Sequence, residues 1–433
     1  MRLSKGALPR FSDCSVVGMS PRSLDGVLAR KKAPSSNLTA DVQAIINDVR
    51  ENGDKALFRY AEKFDGFKEQ ALAVTPQEYN AATIDPEYQR ILERTAERIA
   101  DFHKNQIEKS WSVFKEDGVI MGQMVRPLER VAVYVPGGTA VLVSSLLMCA
   151  VPAQLAGVKE IFILTPVKED GKVSDKILQA AAVCGITEIY KVGGVHGIAA
   201  AAYGTESIAK ADKIVGPGNS YVAAAKRLVY GDVDIDMVAG PSDVLIIADE
   251  TANPKYVAAD LLSQAEHGAD SSSILVTTSE RLITETEAEI ERQMSYLKRT
   301  DYIQKSLTDY GAAVLVESLQ QAFDIANEIA PEHLEILTAD PLSHLPKVKN
   351  AGSIFLGENT PEPLGDYMSG TNHVLPTDGT ARFYSGLGVY SFVKYSSYSY
   401  YPREALAELQ DDVIAFALSE ELDAHANSVK VRF

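Results

Sequence analysis

The stretch RVAVYVPGGTA, residues 130–140, is a β-branched apolar run that ends in a proline and two glycines. Such a run predicts a buried strand followed by a tight turn, and the apolar residues after it predict a helix. The same order recurs from EIFILTP (160–166), EIYKVGG (188–194) and KIVGPGN (213–219). Repeated strand–helix units fold into a parallel sheet with right-handed crossovers, so residues 131–243 are predicted to form one α/β domain.

A second series of short apolar strands follows, again separated by helical segments. The strands are SDVLIIAD (242–249), SSILVTTS (272–279), AAVLVES (312–318), EILTAD (335–340) and SIFLG (353–357), with helices at 252–267, 279–297 and 318–330. The fold class is therefore α/β, with two Rossmann-like parallel-sheet domains. Residues 38–65 and 86–109 have helical character and are expected to pack on the second sheet. Residues 31–130 and 244–387 then form one α/β domain with a helical start, and 131–243 is inserted in it as a cofactor-binding unit.

The two ends of the chain are assigned to small separate segments. Residues 1–30 are predicted to be an N-terminal arm. The tyrosine-rich segment 388–433 is too short to have its own core, so it must dock on another part of the protein or on another subunit. His103, in a polar helical segment, is expected to be a solvated surface residue.

The charge balance excludes several kinds of partner. Forty-two basic and 59 acidic residues give a net charge of −17, which argues against non-specific binding to nucleic acid or to an anionic membrane. The longest apolar run, residues 140–157, is interrupted by two serines and a proline and is typical of a buried helix, not a membrane span. Three scattered cysteines form no disulfide framework, so a reducing, cytoplasmic location is predicted.

The glycine turns of the first domain are candidate ligand sites. They lie after strands, where parallel sheets bind ligands, yet none matches GxGxxG. A bound phosphate or dinucleotide and a purely structural need for glycine both remain open. Tyr134 is a candidate to stack on a base or ribose, and Asn219 to bond a ligand or simply to cap a helix. His196 opens a helix whose dipole disfavours the charged imidazole, so a neutral hydrogen-bonding role is expected.

Two other polar groups carry candidate chemistry. In LLSQAEHGAD (261–270), Gln264 and His267 share a helix face, either as a hydrogen-bonded core pair or as metal ligands. Glu332 and His333 adjoin a proline, which fits acid–base catalysis, although a glutamate at an exposed helix start needs no function. No local zinc signature is present, so a metal site would be assembled from distant segments.

Taken together, these segments resemble the histidinol dehydrogenase family. The match follows the family's order through YVPGG, VGG, KIVGPGN, AGPS, DLLSQAEH, APEHLE, AGSIF, GDY with SGTNHVLPT, and LDAHANSVKVRF, and it covers at least residues 130–433. The resemblance implies a zinc- and NAD-dependent enzyme that oxidises L-histidinol through L-histidinaldehyde to L-histidine, ending histidine biosynthesis. It also implies a homodimer in which the C-terminal segment of one subunit reaches the active site of the other.

The resemblance also implies roles for particular residues. The ligands of one zinc ion per subunit would be Gln264, His267, Asp366 and His425. His333 would be the general base, and Glu332 would activate the water that hydrates the aldehyde. Further substrate contacts would come from Ser242, His373 and Glu420, and NAD contacts from Tyr134, His196 and Asn219. Glu420 and His425 would act across the dimer.

Two positions depart from the family pattern and keep alternatives open. His196 in VGGVHG stands where the family commonly has a glutamine, and Asp243 in GPSD stands where it has a glutamate. The effect of His196 on NAD affinity and that of Asp243 on the substrate pocket are open, so a paralogous zinc- and NAD-dependent dehydrogenase of another small alcohol is an alternative. A metal-dependent hydrolase using a Glu332-activated water, and a non-catalytic zinc-binding protein, are the other hypotheses.

Overall fold

The computed structural model describes residues 15–16, 36–66, 68, 71–137, 141–167 and 170–433. The strands are β1 (Ser15–Val16), β2 (Trp111–Phe114), β3 (Ile120–Pro127), β4 (Arg130–Tyr134), β5 (Glu160–Leu164), β6 (Ile189–Tyr190), β7 (Lys213–Val215), β8 (Asp234–Ile235), β9 (Asp243–Ala248), β10 (Ser272–Thr277), β11 (Ala312–Leu315), β12 (His333–Leu337), β13 (Ser353–Leu356) and β14 (Val393–Tyr400).

The helices lie between these strands and at the two ends of the described chain. They are α1 (Ser36–Asp65), α2 (Pro76–Asn80), α3 (Pro86–His103), α4 (Val143–Ala156), α5 (Asp175–Val183), α6 (Gly194–Tyr203), α7 (Ser220–Val229), α8 (Pro254–Ala265), α9 (Glu280–Met294), α10 (Thr300–Tyr310), α11 (Leu319–Ile329), α12 (Pro341–His344), α13 (Glu362–Tyr367), α14 (Arg403–Ser419) and α15 (Asp423–Lys430).

The first domain contains a five-stranded parallel sheet in the order β6-β5-β4-β7-β8. Counted along the chain, this is the 3-2-1-4-5 order of a Rossmann-type sheet. The order reverses between β4 and β7, so a crevice is expected outside their carboxyl ends. The two ends are in close contact, because a Cβ atom on Gly216 would lie 2.2 Å from the carbonyl oxygen of Tyr134.

The second domain contains a six-stranded sheet in the order β1-β11-β10-β9-β12-β13. All its neighbours are parallel except the edge strand β1, which pairs antiparallel with β11. The predicted strands of both series are present, and the α/β class with two Rossmann-like sheets is confirmed. Because β1 belongs to the second sheet, the first domain is inserted between β1 and β9. Helix α10 was not predicted.

The early helices pack on the first domain, so the prediction that they pack on the second sheet is wrong. Val42, Ile46 and Leu57 of α1 share a core with the strands of the five-stranded sheet, and α1 packs along α6 and α7. Residues 36–103 therefore group with 131–243. Helical periodicity shows that α1 has an apolar face but not which surface covers it. Alanines at 199–202 of α6 are small enough for close approach.

Residues 111–127 and the start of the C-terminal segment form a third sheet that was not predicted. Strand β14 pairs antiparallel with β3 along its full length, and β3 pairs with β2. His103 is also not the surface residue that was expected. It is fully buried on the same face of α3 as Leu92 and Ile99, with its Nδ1 2.9 Å from the Ile99 carbonyl oxygen.

The predicted N-terminal arm, residues 1–30, lies outside the described residues except for Ser15 and Val16. Across the described ranges, the structure contains no helix of the length and apolar character that a membrane crossing requires.

Candidate active site

Glu332 and His333 lie at the amino-terminal end of β12, between β9 and β13. Helix α11 ends at Ile329, and the left-handed φ of 54° at its capping residue Ala330 redirects the chain through Pro331 into the strand. Both side chains are buried, with 5% and 3% exposure. Glu332 is therefore not an exposed glutamate at a helix start, which was the alternative that needs no function. A buried carboxylate requires hydrogen-bond donors or a positive charge nearby.

His333 is held in one tautomer by its neighbours. Its Nδ1 lies 3.1 Å from the carbonyl oxygen of Asp243 and 3.1 Å from Oε1 of Gln264. Both partners are acceptors, so Nδ1 carries the proton and Nε2 keeps its lone pair. Burial, with a contribution from His267, lowers the pKa of His333 to about 3. The imidazole is therefore neutral at physiological pH and can accept a proton at Nε2.

Glu332 and Asp243 form a reciprocal pair across β9 and β12. The backbone amide of Asp243 donates to Oε2 of Glu332 over 3.1 Å, and the amide of Glu332 donates to Oδ1 of Asp243 over 2.9 Å. Burial raises the pKa of Glu332 well above its usual value, and the negative charge of Asp243 adds to this effect. The pair fixes the carboxyl group of Glu332 and makes it a stronger base when it is ionised.

Three further side chains form a cluster suited to a cation. One ligand atom from each of His267, Glu362 and Asp366 lies within 4.8 Å of the others. Burial, with the charge of Asp366, raises the pKa of Glu362 to about 8, and burial raises the pKa of Asp366 to about 6. A divalent cation offsets the electrostatic repulsion between carboxyl groups that are crowded in this way.

Gln264 reaches the same place from α8. It is fully buried, its Oε1 meets His333, and its Nε2 has no hydrogen-bond partner among the described residues. His267, by contrast, has a side chain 43% exposed and lies 3.9 Å from Asp366. In the described part of the chain no hydrogen bond joins the side chains of Gln264 and His267, so they are not a hydrogen-bonded core pair. Nitrogen and oxygen donors of this kind fit zinc.

Ser242 and His373 belong to the same region. The Ser242 hydroxyl hydrogen-bonds the Glu332 carboxylate and so opposes the rise in its pKa. Burial lowers the pKa of His373 to about 4, and its Nε2 has no hydrogen-bond partner within the described ranges. A neutral imidazole with an unsatisfied nitrogen is suited to hydrogen-bond a bound ligand.

The structure does not bring His425 or Glu420 to this cluster within one subunit. His425 is exposed on α15, and Glu420 is exposed where α14 ends. Among the described residues, no hydrogen bond or ion pair joins either side chain to the cluster. Their predicted roles therefore depend on a second copy of the chain.

The three predicted NAD residues lie on the first domain. Tyr134 ends β4, and its hydroxyl accepts a 3.1 Å hydrogen bond from the backbone amide of Gly194. His196 is 1% exposed near the start of α6, and burial lowers its pKa to about 4. Asn219 caps α7 by accepting from two backbone amides and is exposed. Asn219 therefore caps the helix, as one of its two predicted roles requires. Its contact with the cofactor stays a prediction.

A family model of histidinol dehydrogenase matches residues 28–433 of the chain. The chain belongs to the histidinol dehydrogenase family. The histidinol dehydrogenase of Lactococcus lactis subsp. lactis is 61% identical over 408 residues, which cover 93% of this chain and 95% of that protein. The one from Clostridium acetobutylicum is 52% identical over 419 residues, covering 95% and 97%.

A solved histidinol dehydrogenase structure from Elizabethkingia anophelis has a similar fold. It superposes with a TM-score of 0.90 at 40% identity and covers 94% of this chain and 95% of that one. The family resemblance and the predicted fold class are both confirmed. The individual site residues stay predictions.

For this member of the histidinol dehydrogenase family, the predicted site omitted three buried carboxyl residues: Asp260, Glu335 and Glu362. Glu362 lies 3.8 Å from Nε2 of His333, and its amide donates to Glu335 over 2.9 Å. The sequence did contain a signal for them. Glu362 is four residues from Asp366, which places both on one face of α13, and Glu335 lies between the apolar residues Leu334 and Ile336 of β12.

Proposed function

We propose that the chain oxidises L-histidinol through L-histidinaldehyde to L-histidine, passing a hydride to NAD in each of two steps. The observation that carries this proposal is the buried Glu332–His333 pair, in which Nε2 of His333 points toward the cluster of His267, Glu362 and Asp366. An acid–base pair beside a cation cluster is what a substrate with an alcohol and two nitrogen groups requires.

In the first oxidation, Nε2 of His333 takes the proton of the alcohol while the carbon loses a hydride. The imidazolium that forms keeps its Nδ1–H hydrogen bond to the Asp243 carbonyl, which stabilises the charge. The product is the aldehyde. His333 must return its proton to solvent before the second oxidation.

The second oxidation needs water, because an aldehyde has no hydroxyl proton to lose. The ionised Glu332 takes a proton from a water molecule as its oxygen adds to the aldehyde carbon. The resulting hydrate anion then loses a hydride from carbon to NAD and its hydroxyl proton to His333, which gives the carboxylate. The Asp243 amide and the Ser242 hydroxyl hold the Glu332 carboxylate in position.

Gln264, His267 and Asp366 would hold zinc together with His425 from a second copy of the chain. When bound, zinc would hold nitrogen groups of the substrate and would bring no redox chemistry of its own. NAD bound at the first domain would accept both hydrides. A cytoplasmic location stays a prediction.

The proposed homodimer is supported by the shape of the C-terminal segment. In α14 only Ala405 is buried, while Leu409, Val413 and Phe416 are 41%, 41% and 68% exposed. An amphipathic helix with its apolar side exposed is suited to pack on another subunit. Among the described residues, neither His425 nor Glu420 has a hydrogen bond or ion pair with the cluster of its own chain. Such packing would bring both toward the cluster of the other subunit.

Mixing two inactive variants is expected to restore activity if His425 acts across the dimer. In a heterodimer of His333→Asn and His425→Asn subunits, the site with an intact His333 receives an intact His425. Random reassortment of equal amounts should therefore regain about a quarter of the wild-type activity, because half of the dimers have one complete site of two. Steady-state NADH formation after mild dissociation and reassociation measures this. No recovery, with heterodimers confirmed by native mass spectrometry, would contradict the assignment in trans.

The overall activity is tested by following NADH absorbance with L-histidinol before chelation, after chelation, and after zinc is added back. We expect two NADH per histidinol, loss of the signal on chelation and its return with zinc, because the substrate is positioned by the metal. If the zinc-loaded protein gives no NADH with histidinol, other amino alcohols should be screened. NADH formed from one of them would favour the paralogous dehydrogenase. That hypothesis is kept because His196 and Asp243 differ from the residues common in the family.

A further inference from the structure

Asp65, the last residue of α1, has a carboxylate that the site described above does not use. Its Oδ2 atom is buried and has no hydrogen-bond partner among the described residues. Burial raises the pKa of Asp65 to about 6. The carboxyl-terminal end of a helix also disfavours negative charge. An ionised carboxylate here costs stability unless a ligand supplies donors.

Asp65 lies near two of the three predicted cofactor residues, Tyr134 and His196. The charge of Asp65 acts on the hydroxyl of Tyr134, whose pKa is raised chiefly by burial. The adjacent Phe64 ring lies 6.1 Å from the ring of His196, and Tyr60 lies 5.8 Å from it. The end of α1, the end of β4 and the start of α6 therefore meet at one corner.

A second buried polar group at this corner also has no partner. His196 is 1% exposed, and neither of its ring nitrogens has a hydrogen-bond partner within the described ranges. A Cβ atom on Gly194 would lie 3.6 Å from Nδ1 of His196, and the amide of Gly194 bonds Tyr134. Buried polar atoms without partners are rare, and two at one corner indicate a place where a polar ligand completes them.

The corner lies at the carboxyl ends of β4 and β6, and β4 is one of the two strands between which the sheet order reverses. This is where Rossmann-type sheets bind nucleotides. A carboxylate there accepts hydrogen bonds from the two hydroxyls of a ribose, and it repels a phosphate on the same sugar. The chemistry of Asp65 therefore favours an unphosphorylated ribose.

We propose that Asp65 is a specificity-determining residue that binds the adenosine ribose hydroxyls of the cofactor and excludes a 2′-phosphate, so that the protein selects NAD over NADP. The proposal rests on the proposed function, because it assumes that a nicotinamide cofactor binds the first domain. It adds to the predicted contacts Tyr134, His196 and Asn219 a residue from α1.

The test is calorimetric binding of NAD, NADP, 5′-AMP and adenosine 2′,5′-bisphosphate to the wild type and to Asp65→Asn. We expect the wild type to bind NADP at least about 10-fold more weakly than NAD, and adenosine 2′,5′-bisphosphate at least about 10-fold more weakly than 5′-AMP. Asp65→Asn should weaken NAD binding about 10-fold, because charged hydrogen bonds to the ribose become neutral ones. The preference against the 2′-phosphate should shrink by about the same factor.

Glu62→Gln is the matched control, since Glu62 lies on the same helix and is exposed with an ion pair to Lys68. It removes the same unit of charge and should leave the discrimination unchanged. Thermal unfolding without ligand gives an independent readout. Asp65→Asn should be at least as stable as the wild type near neutral pH, because it removes a partly buried charge whose Oδ2 has no hydrogen-bond partner among the described residues.

The outcomes separate the two proposals. If the wild type binds NAD but Asp65→Asn keeps the same affinity and the same discrimination, the role of Asp65 is overturned and the proposed function stands. Equal wild-type binding of 5′-AMP and the 2′,5′-bisphosphate would overturn it as well. If the wild type binds neither NAD nor 5′-AMP, the cofactor assignment fails, and the role of Asp65 fails with it.

Discussion

Replacing His333 with asparagine is expected to lower kcat for L-histidinol oxidation by about 10²- to 10⁴-fold, because the general base for both hydride transfers is lost. The amide of asparagine can still donate to the Asp243 carbonyl, which now accepts from Nδ1 of His333. The variant should therefore fold, and KM should change less than kcat. Steady-state and single-turnover measurements of NADH give both quantities.

Two controls make the His333 result specific. Zinc content should be unchanged in His333→Asn, because His333 is not among the predicted zinc ligands. His344→Asn removes another partly buried histidine, one that lies 5.3 Å from the Phe323 ring, and should keep wild-type activity. Near-wild-type turnover in a folded, zinc-loaded His333→Asn protein would mean that another group is the base.

Replacing Glu332 with glutamine is expected to stop the reaction after the first oxidation. The amide oxygen can still accept from the Asp243 backbone, but it cannot take a proton from water. The second oxidation should slow by about 10²- to 10⁴-fold while the first changes little. The yield should fall from two NADH per histidinol toward one, and the aldehyde should be trapped by a hydrazine reagent. Histidine formation at the wild-type rate would rule out this role.

The pH dependence provides a second measurement for Glu332. Because its pKa is raised, the carboxyl group is protonated at low pH and becomes a base only as the pH rises. The second oxidation in the wild type should therefore speed up with increasing pH through that pKa, and Glu332→Gln should lose this rise. Glu328→Gln, an exposed glutamate paired with Arg382, should keep the wild-type profile. If the pH profile of Glu328→Gln were as flat as that of Glu332→Gln, the pH effect would come from the overall charge of the protein and not from Glu332 itself.

Local patterns were sufficient to predict most strands of the two parallel sheets, but not β1, β8 or the third sheet. Runs such as residues 131–135 and 244–248 are apolar on both faces, which is required of strands buried between helices. The alternation with helices then dictated parallel pairing. The partner of α1 could not be predicted in this way, because an apolar stripe does not specify which of two similar domains will cover it.

The position of the candidate active site was also outside the reach of local patterns. The rule for parallel sheets points to the carboxyl ends of strands, and the predicted cofactor residue Tyr134 does lie there. Glu332 and His333 lie instead at the amino end of β12, beside the start of β9. Their environment is made by Asp243, ninety residues away in sequence from His333, so no nearby residue signalled it.

The sequence by itself determined the α/β class and the family, and it supplied the side chains Gln264, His267, Glu332, His333 and Asp366 for the site. The fold class and the family follow from the periodicity of apolar residues and from the order of motifs, both of which can be read from the sequence alone. Only the tertiary structure decided that Glu332 is buried beside Asp243, that Glu362 joins the cluster, and that no hydrogen bond or ion pair among the described residues links His425 to it. Burial, pKa and metal-binding geometry arise from contacts between segments far apart in sequence, and these contacts exist only after the chain has folded.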